Sequence, residues 1–245
     1  MSMDSRAFWL ARRGNSPAEY EDAFAVNGAT GRYALADGAT ESCFARLWAR
    51  LLVEDFVKNS DADLQSWPDS IPFLQVLWDA DVRTRTLPWH AQAGVEQGAF
   101  GTFLGVVLTA SSEAPRQWQA VAVGDTCLLH TRGDALLRAF PVECSNEFGN
   151  APKLVGSRMS PEAIRERQSL WAEGRGQPDD WLWMITDALA QWCLAEHETG
   201  KNPWGELESL LSAREADNRF TSWIEGLRDA GRLRNDDVTL LALHL

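Results

Sequence analysis

The sequence predicts an α+β fold with mostly antiparallel strands, and three observations lead to that prediction. Strand-like and helical segments alternate, but not in the regular strand–helix repeat that a doubly wound sheet would need. Several strand-like segments follow one another after only a few residues, which favours antiparallel pairing. No internal repeat or Gly/Ser-rich linker divides the chain, so residues 1–245 are predicted to form one domain.

The first half of the chain begins with two predicted strands and two predicted helices. Residues 23–26 (AFAV) and 32–36 (RYALA) have the length and apolar character of short strands. Apolar side chains at helical spacing from Phe44 to Phe56 then predict a helix, with Thr40 as its N-cap and Glu41 in its first turn. A second amphipathic helix is predicted over about 69–85.

The middle of the chain changes to a strand pattern. Four strand-like runs occupy residues 103–110, 118–123, 126–131 and 135–142. Gly124-Asp125, between the second and third runs, fits the two-residue turn of a hairpin. These two runs are therefore expected to pair with each other.

Residues 143–180 form a different kind of segment, rich in Gly, Pro, Asn, Ser and Arg, with one short helical patch near 160–168. A connection of this length is typical of a functional loop or flap. A strand with two apolar faces follows at 181–186 (WLWMIT), which indicates a central, buried position. Further helices and a closing strand at 238–245 complete the predicted order.

The composition excludes several classes of function. The net charge is −12 and the isoelectric point is about 4.8, which disfavours nucleic acid and anionic membrane surfaces as partners. No two of the four Cys have C-x-x-C spacing, so neither a zinc site nor a disulfide framework is indicated. The N-terminus is not signal-like and no apolar run approaches the roughly 20 residues of a membrane span, so a reducing, cytoplasmic location is predicted.

Four aspartates stand at strand boundaries. Asp22 and Asp236 stand just before predicted strands, and Asp37 and Asp187 stand just after them. Any one of them is an ordinary cap or turn residue. If their strands are neighbours, the carboxylates could converge at one end of the core, where they would repel one another unless cations were bound. Carboxylate oxygens suit Mg²⁺ or Mn²⁺, but spacing alone leaves the convergence open.

Six short motifs occur in an order that is typical of one enzyme family. They are EYEDAFAV, YALADGAT, GAFGTFLGVVL, AVAVGDTCLLH, WMITDALAQW and NDDVTLLAL. In this order, from about residue 20 to residue 245, they resemble the motifs of the metal-dependent protein phosphatases of the PP2C type, especially the compact bacterial members. Each motif is common by itself, so the resemblance depends on the full set.

The resemblance implies a fold and an activity. The fold would be a four-layer αββα sandwich of two mainly antiparallel sheets, with a cleft at one end and a variable flap beside it at 143–180. The activity would be that of a phosphoserine/phosphothreonine protein phosphatase, in which a water or hydroxide bridging two Mg²⁺ or Mn²⁺ ions attacks phosphorus in line. The partner would be a phosphorylated Ser/Thr protein, the target of a cognate kinase.

The resemblance also assigns roles to residues of the aspartate set. Asp22 and Asp37 would supply carboxylates to the metal pair, with Asp37 bridging, and the Gly38 carbonyl would be a further ligand. Asp187 and Asp236 would hold the second metal of the pair. The four aspartates would thus support catalysis through the bound metals.

The resemblance also assigns roles to Glu21, to Asp125 and to a phosphate-binding arginine, and the last two have alternatives. Glu21 matches the acidic residue that holds metal-bound water. Asp125 matches an aspartate that helps to hold a third metal in some members, although a plain hairpin turn explains it equally well. The family often has an arginine near the position of Pro17 to clamp the substrate phosphate. Arg12 or Arg13 could take that role if the N-terminal loop is long enough, and otherwise they are solvated surface charges.

The motifs depart from the family pattern in places, and two other functions stand beside the protein phosphatase. Ala188 replaces the usual Gly after Asp187, and GTFL replaces the usual G-T/S-T-A, which bears on substrate preference and rate. One alternative is a non-catalytic PP2C-fold module that binds or regulates a partner. The other is a phosphatase for a small phosphorylated metabolite, which the sequence does not separate from a protein phosphatase.

Overall fold

The structure is a computed structural model that describes residues 5–40, 42–59, 64–87, 89–109, 115–149, 152–166 and 170–245. The strands in these ranges are β1 (Ser5–Leu10), β2 (Ala23–Asn27), β3 (Arg32–Ala36), β4 (Phe100–Gly101), β5 (Phe103–Leu108), β6 (Arg116–Val123), β7 (Cys127–Arg132), β8 (Ala135–Phe140), β9 (Val155–Gly156), β10 (Leu170–Gly176), β11 (Asp180–Ile185) and β12 (Val238–His244). The helices are α1 (Ala45–Lys58), α2 (Ile71–Arg83), α3 (Trp89–Gln97), α4 (Pro161–Glu166), α5 (Asp187–Glu198), α6 (Pro203–Leu211) and α7 (Ala216–Asp229). None of the helices in the described ranges has the length and apolar character that are needed to cross a membrane.

Ten of the strands form two five-stranded sheets. The first sheet has the order β1-β12-β11-β7-β8, and the second has the order β10-β6-β5-β3-β2. Every neighbouring pair in both sheets is antiparallel. The short strands β4 and β9 pair separately. The predicted α+β class with antiparallel strands is therefore confirmed.

The two sheets face each other across an apolar layer. It includes Leu35 and Leu104 of the second sheet and Leu182, Met184 and Leu241 of the first, all fully buried. Helices α1 and α2 cover the outer face of the second sheet, and α5, α6 and α7 cover the outer face of the first. Strand β11 is apolar on both faces because it packs against both layers. The four-layer αββα sandwich is confirmed.

The connection between β6 and β7 is not the hairpin turn that Gly124-Asp125 predicts. Strand β6 lies in the second sheet between β10 and β5, whereas β7 lies in the first sheet between β11 and β8. Gly124 has a φ of 99°, and a Cβ there would come within 2.6 Å of Thr102 and 2.8 Å of the Lys153 carbonyl. The hairpin prediction is wrong. A short connection is compatible with two strands that pair in one sheet and also with a crossover to the facing sheet, and the sequence does not distinguish these two cases.

Helix α1 begins later than predicted. Thr40 is not its N-cap, because the first helical residue is Ala45 and the residue before it, Phe44, has a left-handed φ of 60°. Glu41, predicted for the first turn, lies outside the described residues. The preceding segment instead bonds to β4, with the Ala39 N–H donating to the Phe100 carbonyl at 2.9 Å. This contact holds the chain around Thr40 against the sheet and delays the start of the helix.

Residues 143–180 contain more regular structure than the sequence predicts. Besides α4, which matches the predicted helical patch, they hold β9 and the seven-residue edge strand β10, which pairs with β6. The glycines of β10 weaken its strand signal, yet Gly174 is required because a Cβ there would lie 2.4 Å from the Trp118 ring. The predicted loop character therefore applies to only part of the segment.

A buried polar cluster lies where β11 begins. The fully buried Asp180 carboxylate accepts hydrogen bonds from His130 Nε2 at 2.9 Å, Arg132 Nε at 2.6 Å and the Gln177 N–H at 2.8 Å. Burial opposes the negative charge, but these hydrogen bonds outweigh it and lower the pKa of Asp180 to about 2. The cluster lies at the opposite end of β11 from Asp187.

Candidate metal centre

A cavity of about 710 Å³ opens where β3 and β11 end and β12 begins. Its wall includes Asp37, Asp125, Asp187 and Asp236, together with Gly38. These residues follow β3, join β6 to β7, begin α5 and precede β12. The structure therefore brings together strand-end carboxylates whose convergence the spacing in the sequence leaves open.

Asp22 lies beside this wall, just before β2, and is 3% exposed. Its Oδ2 accepts a hydrogen bond from the Thr239 hydroxyl at 2.6 Å. The negative charge of Asp22 raises the pKa of Asp37, so the two carboxyl groups lie near each other at this end of the sandwich.

Burial and mutual repulsion raise the pKa values of the clustered carboxyl groups. Burial is the largest cause for Asp22 and Asp37, whose pKa values rise well above the usual range, and neighbouring carboxylates add to it. Burial, with the charge of Asp187, raises the pKa of Asp125 to about 7. Burial also raises the pKa of Asp187, although Arg234 opposes the shift. Protons or cations are needed to neutralise such a cluster.

Three buried carboxylate oxygens in this cluster have no hydrogen-bond partner within the described ranges. They are the Oδ1 atoms of Asp22, Asp125 and Asp187. Unpartnered buried oxygens are costly, and hard divalent cations such as Mg²⁺ and Mn²⁺ prefer oxygen ligands. Among the described residues, no three carboxylate, imidazole or thiol groups are already spaced as a metal site. The residues thus fit divalent cations by chemistry and position, without a finished coordination shell.

Gly38 is required because the chain is packed closely on both sides of it. A Cβ at this position would lie 2.8 Å from the Glu21 carbonyl oxygen and 3.0 Å from the Cβ of Ala45. The neighbouring Asp37 carbonyl accepts a hydrogen bond from the Thr102 N–H at 2.8 Å. This packing holds the backbone of Asp37 and Gly38 at the cavity wall.

The two adjacent acidic residues before β12 have different surroundings. Asp237 is buried, and its two oxygens accept hydrogen bonds from the backbone N–H groups of Arg12 and Glu21, both at 2.7 Å. Asp236 instead lines the cavity. Asp237 therefore joins the N-terminal segment to this loop, whereas Asp236 presents its carboxylate to the cavity.

The structure does not bring Arg12, Arg13 or Glu21 to the cavity wall. Arg12 and Glu21 line a neighbouring cleft, where burial raises the pKa of Glu21. The Arg13 guanidinium pairs on α7 with Glu225 and, at 2.8 Å, with Asp229. Arg12 or Arg13 could bind phosphate only if the N-terminal loop reached into the cavity. The loop does not reach it, because Arg13 holds this segment against α7.

Solved structures match the fold of this chain over its whole length, whereas no family model and no curated protein gives a significant match. The serine/threonine phosphatase PstP/Ppp of Mycobacterium tuberculosis is 14% identical, with a TM-score of 0.61 and coverage of 100% of this chain and 99% of that one. Stp1 of Staphylococcus aureus is 12% identical, with a TM-score of 0.61 and coverage of 100% and 96%. PppA, a key regulatory component of T6SS in Pseudomonas aeruginosa, is 16% identical, with a TM-score of 0.60 and coverage of 100% and 98%. The chain has the PP2C-type phosphatase fold.

The cavity of this PP2C fold includes a basic side chain that the motifs do not indicate. Arg234 is the one basic residue among the described residues that line the cavity. Its guanidinium pairs with Asp187 and lies 3.3 Å from an oxygen of Asp236. Sequence reasoning misses it because the last motif begins at Asn235, although a search for basic residues next to each candidate ligand would find it.

We expect the metal-free PP2C fold to become more stable as the pH falls from about 8 to about 5. Asp125 has a pKa of about 7 in the fold and about 4 in an unfolded chain, so folding takes up a proton in this range. Its charge therefore destabilises the fold at high pH, and that cost disappears as the group is protonated. The raised pKa values of Asp22 and Asp37 act in the same direction.

The measurement is the Tm in chelator, followed by circular dichroism between pH 8 and pH 5, where a rise of several degrees is expected. Asp125→Asn should reduce this dependence because it removes one of the titrating groups. A Tm that falls over the same range would contradict the electrostatic account of the cluster.

Proposed function

We propose that the protein is a phosphoserine/phosphothreonine protein phosphatase that uses two Mg²⁺ or Mn²⁺ ions. The observation that carries this proposal is the convergence of buried, partly unpartnered carboxylates at one end of a PP2C fold. The solved complex of the PstP catalytic domain, which is 14% identical to this chain, contains two manganese ions and supports the same metal use.

We assign the two ions to carboxylates on both sides of the sandwich. Asp22 and Asp37 flank strands of the second sheet, and Asp187 and Asp236 flank strands of the first, so ions between them would have ligands from both sides. The Gly38 carbonyl is proposed as a further ligand. Asp37 is proposed as the bridging ligand because the charges of Asp22, Asp187 and Asp236 all act on its carboxyl group.

Asp125 and Glu21 are proposed for supporting roles. Asp125 lines the same cavity, and its unpartnered Oδ1 suits a third cation. Glu21 is adjacent in sequence to Asp22, and its carboxylate lies in the neighbouring cleft. We propose that Glu21 holds water next to a bound cation by hydrogen bonding.

The hydroxyl groups of the cavity wall support direct transfer of the phosphoryl group to water. When bound, two divalent cations lower the pKa of water and neutralise phosphate oxygens. The Ser42 hydroxyl donates to the Ala39 carbonyl at 2.8 Å, and the Thr102 hydroxyl is bonded to that of Thr126. Both hydroxyl groups are hydrogen-bonded within the wall, so we propose water rather than Ser42 or Thr102 as the nucleophile.

The proposed partner is a phosphorylated Ser/Thr protein, the target of a cognate kinase. A net charge of −12 makes nucleic acid an unfavourable partner. We propose a cytoplasmic location, which is supported by four free cysteine thiols.

The test is hydrolysis by chelator-treated protein after addition of Mn²⁺ or Mg²⁺. We expect the rate to rise at least about 100-fold, because two ions contribute several kcal/mol of transition-state stabilisation. Phosphoserine and phosphothreonine peptides should be hydrolysed faster than sugar or nucleotide monophosphates. Equal rates with and without metal would count against the proposal, and a preference for small phosphates would favour the metabolite phosphatase instead.

A second candidate is a non-catalytic module that regulates a partner through the same fold. The description of PppA as a regulatory component favours this candidate. Protein that binds Mn²⁺ but turns over none of these substrates would support it. The complete set of proposed carboxylate ligands favours the phosphatase.

A further inference from the structure

Arg234 lies in the wall of the cavity that holds the proposed metal ligands. It is the one basic residue among the described residues of the cavity wall, and its side chain is 39% exposed. Its guanidinium pairs with Asp187 and lies 3.3 Å from Asp236 Oδ2. These two carboxylates are the pair proposed above as ligands of one metal ion.

A phosphate group needs a cationic partner in this cavity. A phosphomonoester carries a charge of about −1.5 to −2 at pH 7, and the carboxylate wall would repel it. Arginine offers two parallel N–H donors that match two phosphate oxygens. Of the two candidates from the sequence, Arg13 is paired outside the cavity with Glu225 and Asp229, and Arg12 lines the neighbouring cleft instead of the cavity. Arg234 is therefore the arginine with access to a phosphate in the cavity.

We propose that Arg234 binds the substrate phosphate, and that divalent cations release it for this role by replacing it on Asp187 and Asp236. The inference rests on the proposed function. A guanidinium and a divalent cation compete for the same carboxylate oxygens, and the divalent cation has the stronger Coulombic attraction. Metal binding thus converts an internal ion pair into an anion-binding group.

The loop around Arg234 is held in a way that lets the side chain move by itself. The Asp237 carboxylate anchors the loop by accepting hydrogen bonds of 2.7 Å from the backbone N–H groups of Arg12 and Glu21. The buried Arg228 guanidinium donates a hydrogen bond to the Asp236 carbonyl. On the other side of Arg234, the Leu233 N–H donates to the Leu227 carbonyl at 3.3 Å. Because the backbone is anchored on both sides, a rotamer change of Arg234 is sufficient to turn it from the carboxylates towards the cavity.

Removal of the Arg234 guanidinium should change two affinities in opposite directions. Mn²⁺ should bind several-fold more tightly to Arg234→Gln, because the internal competitor is gone. Inorganic phosphate should bind to the Mn²⁺-loaded variant about 10- to 100-fold more weakly than to the wild type, as expected for the loss of a charged hydrogen-bonding partner. A merely structural role for Arg234 would not produce this pair of changes.

The matched control is Arg13→Gln, which removes an arginine paired with two carboxylates outside the cavity. Mn²⁺ affinity is measured from the electron paramagnetic resonance signal of unbound Mn²⁺, and phosphate affinity by calorimetry on Mn²⁺-loaded protein. Arg234→Lys keeps the charge but not the paired donors, so it should retain more of the competition with Mn²⁺ than of the phosphate affinity. Circular dichroism confirms that each variant is folded.

Wild-type phosphate affinity in Arg234→Gln would overturn the inference, and so would a loss of phosphate affinity in Arg13→Gln equal to that in Arg234→Gln. If Arg234→Gln does not fold, Arg234→Lys decides, and unchanged phosphate affinity in that variant overturns the inference. Wild-type protein that binds no Mn²⁺ would overturn the proposed function together with the inference. Wild-type protein that binds Mn²⁺ and hydrolyses phosphopeptides, with variants that all bind phosphate equally, would overturn the Arg234 assignment alone.

Discussion

Replacement of Asp37 by Asn is expected to abolish metal-dependent phosphatase activity and to stabilise the metal-free protein. Asp37 is the proposed bridging ligand, and a neutral amide is a poor substitute for a carboxylate between two cations. A loss of several kcal/mol of transition-state stabilisation corresponds to a rate at least about 1000-fold lower. Loss of activity and gain of stability would then arise from the same missing charge.

The gain in stability follows from the environment of Asp37 in the fold. Burial is the largest cause that raises its pKa, and the charges of Asp22 and Asp187 add to the shift. Above the unfolded pKa of about 4, the charged form is less stable in the fold than in the unfolded chain. The neutral, nearly isosteric Asn removes this cost, so the gain should be largest at pH 8 and should shrink as the pH falls.

Initial rates at saturating Mn²⁺ and the Tm in chelator measure the two effects of Asp37→Asn. The matched control is Asp229→Asn on α7, where the side chain is 69% exposed and lies outside the cavity, so little change in either quantity is expected. Near-wild-type rates in Asp37→Asn would refute the bridging role. A lower Tm in chelator would refute the electrostatic explanation.

Replacement of Asp180 by Ala is expected to lower the free energy of unfolding by about 2–4 kcal/mol at pH 7. The substitution leaves the buried His130 ring and the Gln177 N–H without their acceptor. Arg132 loses its partner as well, but its side chain is half exposed and can be solvated by water. This partial exposure is why the expected loss stays below that of a fully buried ion pair.

The Asp180 cluster has the opposite pH dependence to the carboxylates of the cavity. Its pKa is about 2 in the fold and about 4 in an unfolded chain, so its contribution is fully present above pH 4 and is lost as the pH falls through 2. Urea unfolding should therefore separate Asp180→Ala from the wild type more at pH 7 than at pH 3. The control is Asp229→Ala, and an equal separation at both pH values would argue against the ion-pair explanation.

Apolar periodicity predicts the central strands well, because the side chains on their buried faces are apolar. The predicted bounds of β2, β3, β11 and β12 agree with the structure to within one residue. Strands β1, β4, β9 and β10 and helix α3 have no counterpart among the predicted elements. Strands β4 and β9 have only two residues each, and β1 and β10 are sheet edges, where one side is unpaired and apolar alternation is weaker.

The candidate site depends on relations that are not local in the sequence. The aspartates at strand ends are evident, but their convergence depends on which strands lie side by side, and the family resemblance supplied that information. The positions of arginines depend on side-chain partners far along the chain. Arg13 pairs with Glu225, which is 212 residues away, whereas Arg234 turns to Asp187 across the cavity.

The carboxylates of the cavity come from both sheets, and all four cysteines are free, so no disulfide joins the two halves of the sandwich. Cations bound between these carboxylates would therefore act as removable cross-links between the halves. Ligands that bind only the folded state shift the folding equilibrium in proportion to their concentration. The cellular supply of divalent cations would then govern how long each molecule survives proteolysis, as well as how fast it works.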